Sequence, residues 1–192
     1  MDTTRVETFS DGVFAIAITL LILEIKVPEA GNLSQGLLDL WPSYLAYAVS
    51  FIVIGAIWIN HHAMFDWIVG VDQPLLLLNT LHLLFIAFLP FPTAVLAHSF
   101  QMDMGKSTAT AFYGGTLTII GLLVTLMWFY AVRHRNLLSS ELSPEAAKRI
   151  GKMYFIGPTG YFLATLAAFV NPWISISLFV ALNGFFLWPR HT

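Results

Sequence analysis

Apolar residues fall into six long runs separated by short polar breaks. A helix that crosses a bilayer needs about 20 apolar residues at 1.5 Å of rise each. On that measure six transmembrane helices are expected, over roughly 6–27, 41–65, 74–97, 107–132, 153–170 and 173–188. Pro28 stops the first, and a short polar loop with Gly31 and Gly36 runs on to Leu40. Pro74 suits the first turn of the third helix, whereas Pro90 and Pro92 remove backbone donors near its far end, where a kink or a stop is expected. Ser143-Pro144-Glu145 reads as N-cap, first-turn proline and acidic first turn, so a helix is expected to begin there and continue into the fifth span. Asn171-Pro172 leaves only a tight turn before the sixth.

Composition agrees with that pattern. The chain has 192 residues, of which 57% are hydrophobic and 10% charged, with a mean hydropathy of +0.75. A soluble domain carries about 25% charged residues. An all-α integral membrane protein with one domain, 1–192, is expected. Cysteine is absent, which excludes a disulfide framework and thiolate chemistry. A net charge of −2 argues against a nucleic-acid partner. Six spans put both termini on one side. Arg5, Arg133, Arg135, Lys148, Arg149, Lys152 and Arg190 then share that side, against Lys26 and Lys106 on the other. The positive-inside rule places both termini in the cytoplasm. Trp41, Trp67, Trp173 and Trp188 sit at span ends, as an aromatic belt requires.

Candidate chemistry concentrates on the first span. Asp11 stands at the edge of an apolar helix, where a carboxylate costs up to about 2.5–3.5 kcal/mol and calls for a partner. The topology brings Arg5, Ser10, Asp11, Trp58, His61, His62, Asn79 and His82 from three spans to similar depth. Trp58 and His62 share a face at i,i+4, and Asn79 and His82 at i,i+3. Arg5 and Asp11 are about 240° apart around the helix, so Asp11 is expected to find its partner on the second or third span. Three readings are open for this cluster: an interhelical hydrogen-bond network, a proton or ion relay, or a metal site using His62 and Asp66. The spacing favours the first, and no metal or other cofactor is expected. The same span carries Phe9, Val13, Ile16, Leu20, Leu23 and Val27 at 4-3 spacing. Such a stripe serves packing within one subunit, or forms a hydrophobic constriction where several copies meet and gate ions by dewetting. Thr19 lies beside it with a hydroxyl to offer a partly dehydrated ion.

Several classes are disfavoured. There is no Thr-Val-Gly-Tyr-Gly filter loop, no arginine ladder in the fourth span and no nucleotide-binding or protease motif, so neither a voltage-gated potassium channel nor an enzyme is expected.

The stretch Arg5-x-x-x-Phe9-Ser10-Asp11 resembles the R-x-x-x-F-S-D signature of the transmembrane protein 175 family, the family of the endosomal and lysosomal potassium channel. The resemblance extends to the apolar helix after it, to Trp58-Ile-Asn-His61-His62 and to Phe88-Leu-Pro90-Phe-Pro92-Thr93. It implies a prokaryotic member in the cell (inner) membrane, with six helices per subunit and a homotetramer whose first helix lines a central pore. It implies a cation channel that modestly favours potassium over sodium without a carbonyl filter. The family's constriction falls on Ile16, Leu20 and Leu23, and its selectivity-linked hydroxyl on Thr19. Potassium ions, membrane lipid and three further copies of the chain are the implied partners. A proton-conducting channel or proton-coupled transporter using Asp11 and the inner histidines is the alternative.

Overall fold

The computed structural model describes residues 3–28 and 31–187. Among these, eight α-helices account for nearly all regular structure: α1 (Thr4–Leu20), α2 (Leu33–Asp39), α3 (Trp41–Phe65), α4 (Gln73–Phe88), α5 (Pro90–Gln101), α6 (Lys106–Arg133), α7 (Pro144–Ala167) and α8 (Pro172–Leu187). The fold is all-α. Thr4–Glu24, Trp41–Phe65, Gln73–Gln101 and Lys106–Arg133 are each long and apolar enough to cross a bilayer. Trp188 and Arg190, expected in the aromatic belt and on the terminal side, lie outside the described residues.

The helix starts follow local chemistry. The Asp72 carboxylate accepts from the Leu75 N–H at 3.0 Å and caps α4, with Pro74 in the first turn. Ser143 caps α7 by accepting from the Ala146 N–H at 3.1 Å, just before Pro144, as its sequence signature requires.

Four details differ from the sequence expectation. The segment after Pro28 is not all loop: Asn32 accepts from the Ser34 N–H at 2.9 Å and starts the short helix α2. The first span is α-helical only to Leu20, tightens to a 3₁₀ turn over Leu21–Glu24, and is extended at Ile25. The third segment runs on to Gln101, past its expected end at 97, and the interruption expected at its prolines is there, where two helices meet at Leu89. Its prolines cause no loss there, because Pro90 and Pro92 sit in the first turn of α5, where N–H groups have no intrahelical partner. The fifth helix ends at Ala167, and residues 168–170 form a turn.

Helix α6 is the hub. Half of its most apolar stretch is buried, against 28% for α1. Its glycines let neighbours come close. A Cβ on Gly121 would stand 3.2 Å from the Pro158 nitrogen on α7, and one on Gly114 would meet the Phe179 ring at 2.5 Å. Pro158 itself interrupts α7 and leaves the Tyr154 carbonyl without its usual donor, and the Thr125 hydroxyl of α6 supplies one at 2.8 Å. Two apolar clusters make up the core. One lies around Phe14, Ile54, Leu83, Tyr113, Tyr161 and Phe179. The other lies towards the Arg133 end of α6, around Met64, Ile68, Leu75, Met127, Trp128 and Leu138. Over that second cluster two turns pair: the Val69 N–H donates to the Leu137 carbonyl at 2.9 Å and the Ser139 N–H to the Trp67 carbonyl at 2.9 Å.

Candidate functional site on the first helix

Helix α1 divides cleanly by face. Val6, Ser10, Phe14 and Ala17, followed by Leu21 in the 3₁₀ turn, are buried. Their 4-4-3-4 spacing is one helical stripe, and it packs α1 against α3 and α4. The opposite arc carries Phe9, Gly12, Ala15, Ile16, Thr19 and Leu20, all exposed in the subunit. Ile16 is 61% exposed, Leu23 60% and Leu20 40%. Val13 is the exception within the sequence-derived stripe, since it packs partly against the core. Val27 lies beyond the 3₁₀ turn and is not on the helix.

A directed hydrogen-bond chain ties the buried face down. The Ser10 hydroxyl donates to the Val6 carbonyl at 2.8 Å, as serine does inside a helix. That leaves its oxygen to accept from the Asn79 side-chain amide of α4 at 3.0 Å. The Asn79 carbonyl oxygen then accepts from His61 Nε2 of α3 at 2.9 Å, which requires the proton on Nε2. Each of Ser10, Asn79 and His61 is buried. His82 joins by packing: its ring stacks on His61 with centroids 5.6 Å apart and planes 8° apart. Its two ring nitrogens are buried without a hydrogen-bond partner. Phe14 wedges against both imidazoles, at 5.5 Å from His61 and 6.0 Å from His82. Phe14 was not singled out in the sequence, although its place one turn after Ser10 was a usable signal.

Asp11 belongs to a second, outer pair. Its carboxylate accepts from the Trp58 indole of α3 at 2.8 Å, and His62 stacks on the same indole at 5.9 Å. A groove of about 340 Å³ between α1 and α3 runs past this pair, with Ala15, Ile18, Ile54 and Gly55 on its walls. The structure therefore separates the sequence-derived cluster. Ser10, Asn79, His61 and His82 form the buried part, whereas Asp11, Trp58 and His62 form the exposed part. Arg5 and Phe9 belong to neither. Both are exposed, and among the described residues no hydrogen bond or ion pair reaches the Arg5 side chain. The reason is angular: positions 5, 9 and 16 lie about 120° around α1 from positions 6, 10 and 14. His62 and Asp66 are both exposed, and no three metal-binding side chains converge among the described residues.

Thr19 sits on the exposed arc one turn from Ile16. Its hydroxyl proton is shared between the Ala15 carbonyl at 3.0 Å and the Ile16 carbonyl at 2.9 Å. The donor is thus used internally, and the oxygen lone pairs face outward. A second buried polar cluster, in which the Ser50 hydroxyl bonds Thr93 at 2.9 Å and Tyr113 at 3.0 Å, has no counterpart in the sequence reading. Ser50 and Thr93 each stand alone in an apolar run, so no periodicity announces them.

Comparison with known proteins bears on the same residues. Residues 5–90, which include all of this site, match the family model described as endosomal/lysosomal potassium channel TMEM175. A potassium channel of Streptomyces collinus is 44% identical over 170 residues, covering 87% of this chain and 82% of that protein. The crystal structure of a lysosomal potassium-selective channel TMEM175 homolog from Chamaesiphon minutus aligns with a TM-score of 0.87 at 38% identity, covering 96% of this chain and 95% of that one. The endosomal/lysosomal proton channel TMEM175 of Bos taurus is 46% identical over 97 residues, 45% of this chain and 20% of that protein. The chain belongs to the TMEM175 family, whose members are ion channels of the membrane and not enzymes.

Proposed function

We propose that this chain is a potassium-favouring cation channel in which four copies set α1 around a common axis. Six spans per subunit are formed by Thr4–Glu24, α3, α4 with α5, α6, the apolar part of α7, and α8. Both termini face the cytoplasm of a prokaryotic cell with an inner membrane. The exposed arc of α1 carries this reading. It is apolar along one edge, at Phe9, Ile16, Leu20 and Leu23, and small or hydroxyl-bearing along the other, at Thr8, Gly12, Ala15 and Thr19. A lipid-facing helix has no use for the second edge. A helix that packs closely on copies of itself beside a water path uses both: small residues admit the neighbour, and bulky ones narrow the path.

Conduction then follows from desolvation. Potassium holds its hydration shell less tightly than sodium, so a ring of Ile16 side chains that forces partial dehydration favours potassium. Thr19 oxygens, with their protons already committed to backbone carbonyls, offset part of that cost as neutral acceptors. Leu23 and Leu20 extend the dry zone, which closes by dewetting when the ring narrows. The Ser10–Asn79–His61 chain holds α1 against its own subunit and so fixes the radius of the ring.

The test is ion flux in liposomes reconstituted with purified protein. Potassium flux is expected to exceed sodium flux. Ile16→Asn is expected to raise the flux and reduce the preference. Unchanged flux and preference in a well-assembled Ile16→Asn protein would remove α1 from the conduction path. A second reading, proton conduction, is favoured by the directed His61–Asn79–Ser10 chain and the stacked His82, and by the bovine relative's name. It predicts that a pH gradient alone drives proton flux through the reconstituted protein.

A further inference from the structure

At the Arg133 end of α6, a groove of about 370 Å³ opens between α6 and the start of α7. Trp128, Phe129 and Val132 form one wall, and Lys148, Lys152 and Phe155 the other. We propose that this groove binds one anionic phospholipid per subunit, with the headgroup phosphate on Lys148 and Lys152 and an acyl chain along Phe129 and Phe155.

Charge comes first. Lys148 and Lys152 are i,i+4 on α7 and so share a face, and both are exposed. Among the described residues the only ion pair is Lys106–Asp103, at the opposite end of α6. Glu145, one turn before Lys148 on the same helix, makes no ion pair with it. Arg149 and Arg133 add exposed positive charge at this end of the two helices. Arg135 is already engaged, donating to the Leu142 carbonyl at 2.7 Å.

Depth comes second. Lys152 is the last charged residue of α7, and no charge follows it as far as Ala167. Phe155 lies one turn further along and is 57% exposed, while Phe129 is 51% exposed across the groove. A cationic rim stands directly above an aromatic wall, at the boundary where a phospholipid changes from phosphate to hydrocarbon. Lysine stems lie along apolar surface while their amines reach the headgroups.

The floor of the groove narrows the chemistry further. It is made by Ala147 and Gly151, and a Cβ on Gly151 would stand 3.2 Å from the Trp128 indole nitrogen. That glycine lets α7 lie against the indole, whose N–H donates to the Ala147 carbonyl at 3.1 Å. The Trp128 N–H is therefore spent, and the two amines supply the polar recognition. A site that offers cations and apolar surface fits an amphiphilic anion. Its volume lies within the range of about 300–1,000 Å³ typical of ligand sites. The proposal requires that the chain lie in a bilayer, and it is independent of what the channel conducts.

Native mass spectrometry of the purified assembly tests it, with equal phosphatidylglycerol and phosphatidylcholine offered in mixed micelles. The wild type is expected to retain phosphatidylglycerol, one molecule per subunit. Each lysine replaced by glutamine is expected to lower the preference about five-fold, and Lys148→Gln/Lys152→Gln about 25-fold, from the usual contribution of a basic residue at an anionic surface. Arg149→Gln, which removes a charge outside the groove lining, is expected to change it less than two-fold, because solvent ions screen an exposed charge that does not touch the headgroup. Equal retention of both lipids by the wild type would overturn the site. So would an Arg149→Gln loss as large as that of Lys152→Gln, which marks diffuse surface attraction. Displacement of the lipid by glycerol 3-phosphate would assign the lysines to a soluble phosphate and overturn the lipid as occupant. The two lysines are exposed, and an assembly mass equal to that of the wild type verifies folding in each variant.

Discussion

The buried chain on α1 makes a quantitative prediction at Asn79. Replacing Asn79 with leucine keeps the approximate side-chain volume and removes two interhelical hydrogen bonds, one to Ser10 at 3.0 Å and one from His61 at 2.9 Å. Ser10 keeps its own bond to the Val6 carbonyl, so its loss is small. His61 Nε2–H loses its partner in a site where the ring is 2% exposed. A buried donor left unpaired costs about 1–3 kcal/mol. Interhelical hydrogen bonds in membranes average about 0.6 kcal/mol, because the unfolded chain in lipid also finds partners. Weighing the second figure for the Ser10 bond and the lower half of the first for His61 gives roughly 2 kcal/mol, about thirty-fold in the folding equilibrium. The assay is reversible unfolding in mixed micelles of rising dodecyl sulfate fraction, followed by circular dichroism. A double-mutant cycle with Ser10→Ala isolates the shared bond, with an expected coupling of about 0.5–1 kcal/mol. An Asn79→Leu protein as stable as the wild type, or zero coupling in the cycle, would refute the anchoring role of the chain.

Other outcomes follow from the same geometry. Gly114→Ala is expected to cost about 1–3 kcal/mol by overpacking, because its Cβ would collide with Phe179 and Thr165; Gly115→Ala, with nothing within 4 Å, should leave the melting temperature unchanged or raised. Asp72 titrates with a definite sign. Burial raises its pKa, but the Tyr130 hydroxyl at 2.7 Å and the Leu75 N–H, with His134 nearby, outweigh that and hold it below the usual carboxylate range. Its contribution is therefore complete above about pH 4, the unfolded value, and disappears as pH falls through the lower folded value. The melting-temperature gap between wild type and Asp72→Asn should be full near about pH 6 and close in that acid window. Along the exposed arc, Ile16→Asn and Leu23→Asn should alter flux more than Leu20→Asn in the liposome assay, since Leu20 is 40% exposed and the other two about 60%; equal effects would argue against a pore axis facing the middle of that arc.

Much of the fold was legible because the signals were local. The Ser143-Pro144 cap and the Pro74 start are short-range chemistry, and α7 and α4 begin there. The helix at Leu33–Asp39 was hidden because Asn32 reads equally as a turn residue or a cap, and only the Ser34 N–H at 2.9 Å decides. The division of the polar cluster was half legible. Spacing put Asn79 and His82 on one face, and both are buried. Spacing alone left Arg5 with the cluster, because depth along the axis was read more surely than angle around it. The Ser50–Thr93–Tyr113 bonds lay beyond reach for another reason: they join residues 43 and 63 positions apart, and pairing over such distances leaves no local trace.

Helix α1 shows why apolar periodicity needs a polar residue to orient it. Two stripes run along this helix, 6-10-14-17-21 and 9-16-20-23, and both are mostly apolar. Hydrophobicity therefore cannot say which one faces the subunit's own core. Ser10 decides, because a serine that donates back to Val6 still has an oxygen to satisfy, and Asn79 on α4 is the group that satisfies it. Once that stripe is fixed inward, the other is left uncovered by its own subunit, with Thr19 beside it and the Asp11–Trp58 pair at the far edge of the exposed arc. The inward stripe is held by bonds of defined direction and the outward stripe by none. Substitutions on the first should change whether the helix is seated, and substitutions on the second should change what passes along it. That separation makes the stability and flux experiments independent readings of one helix.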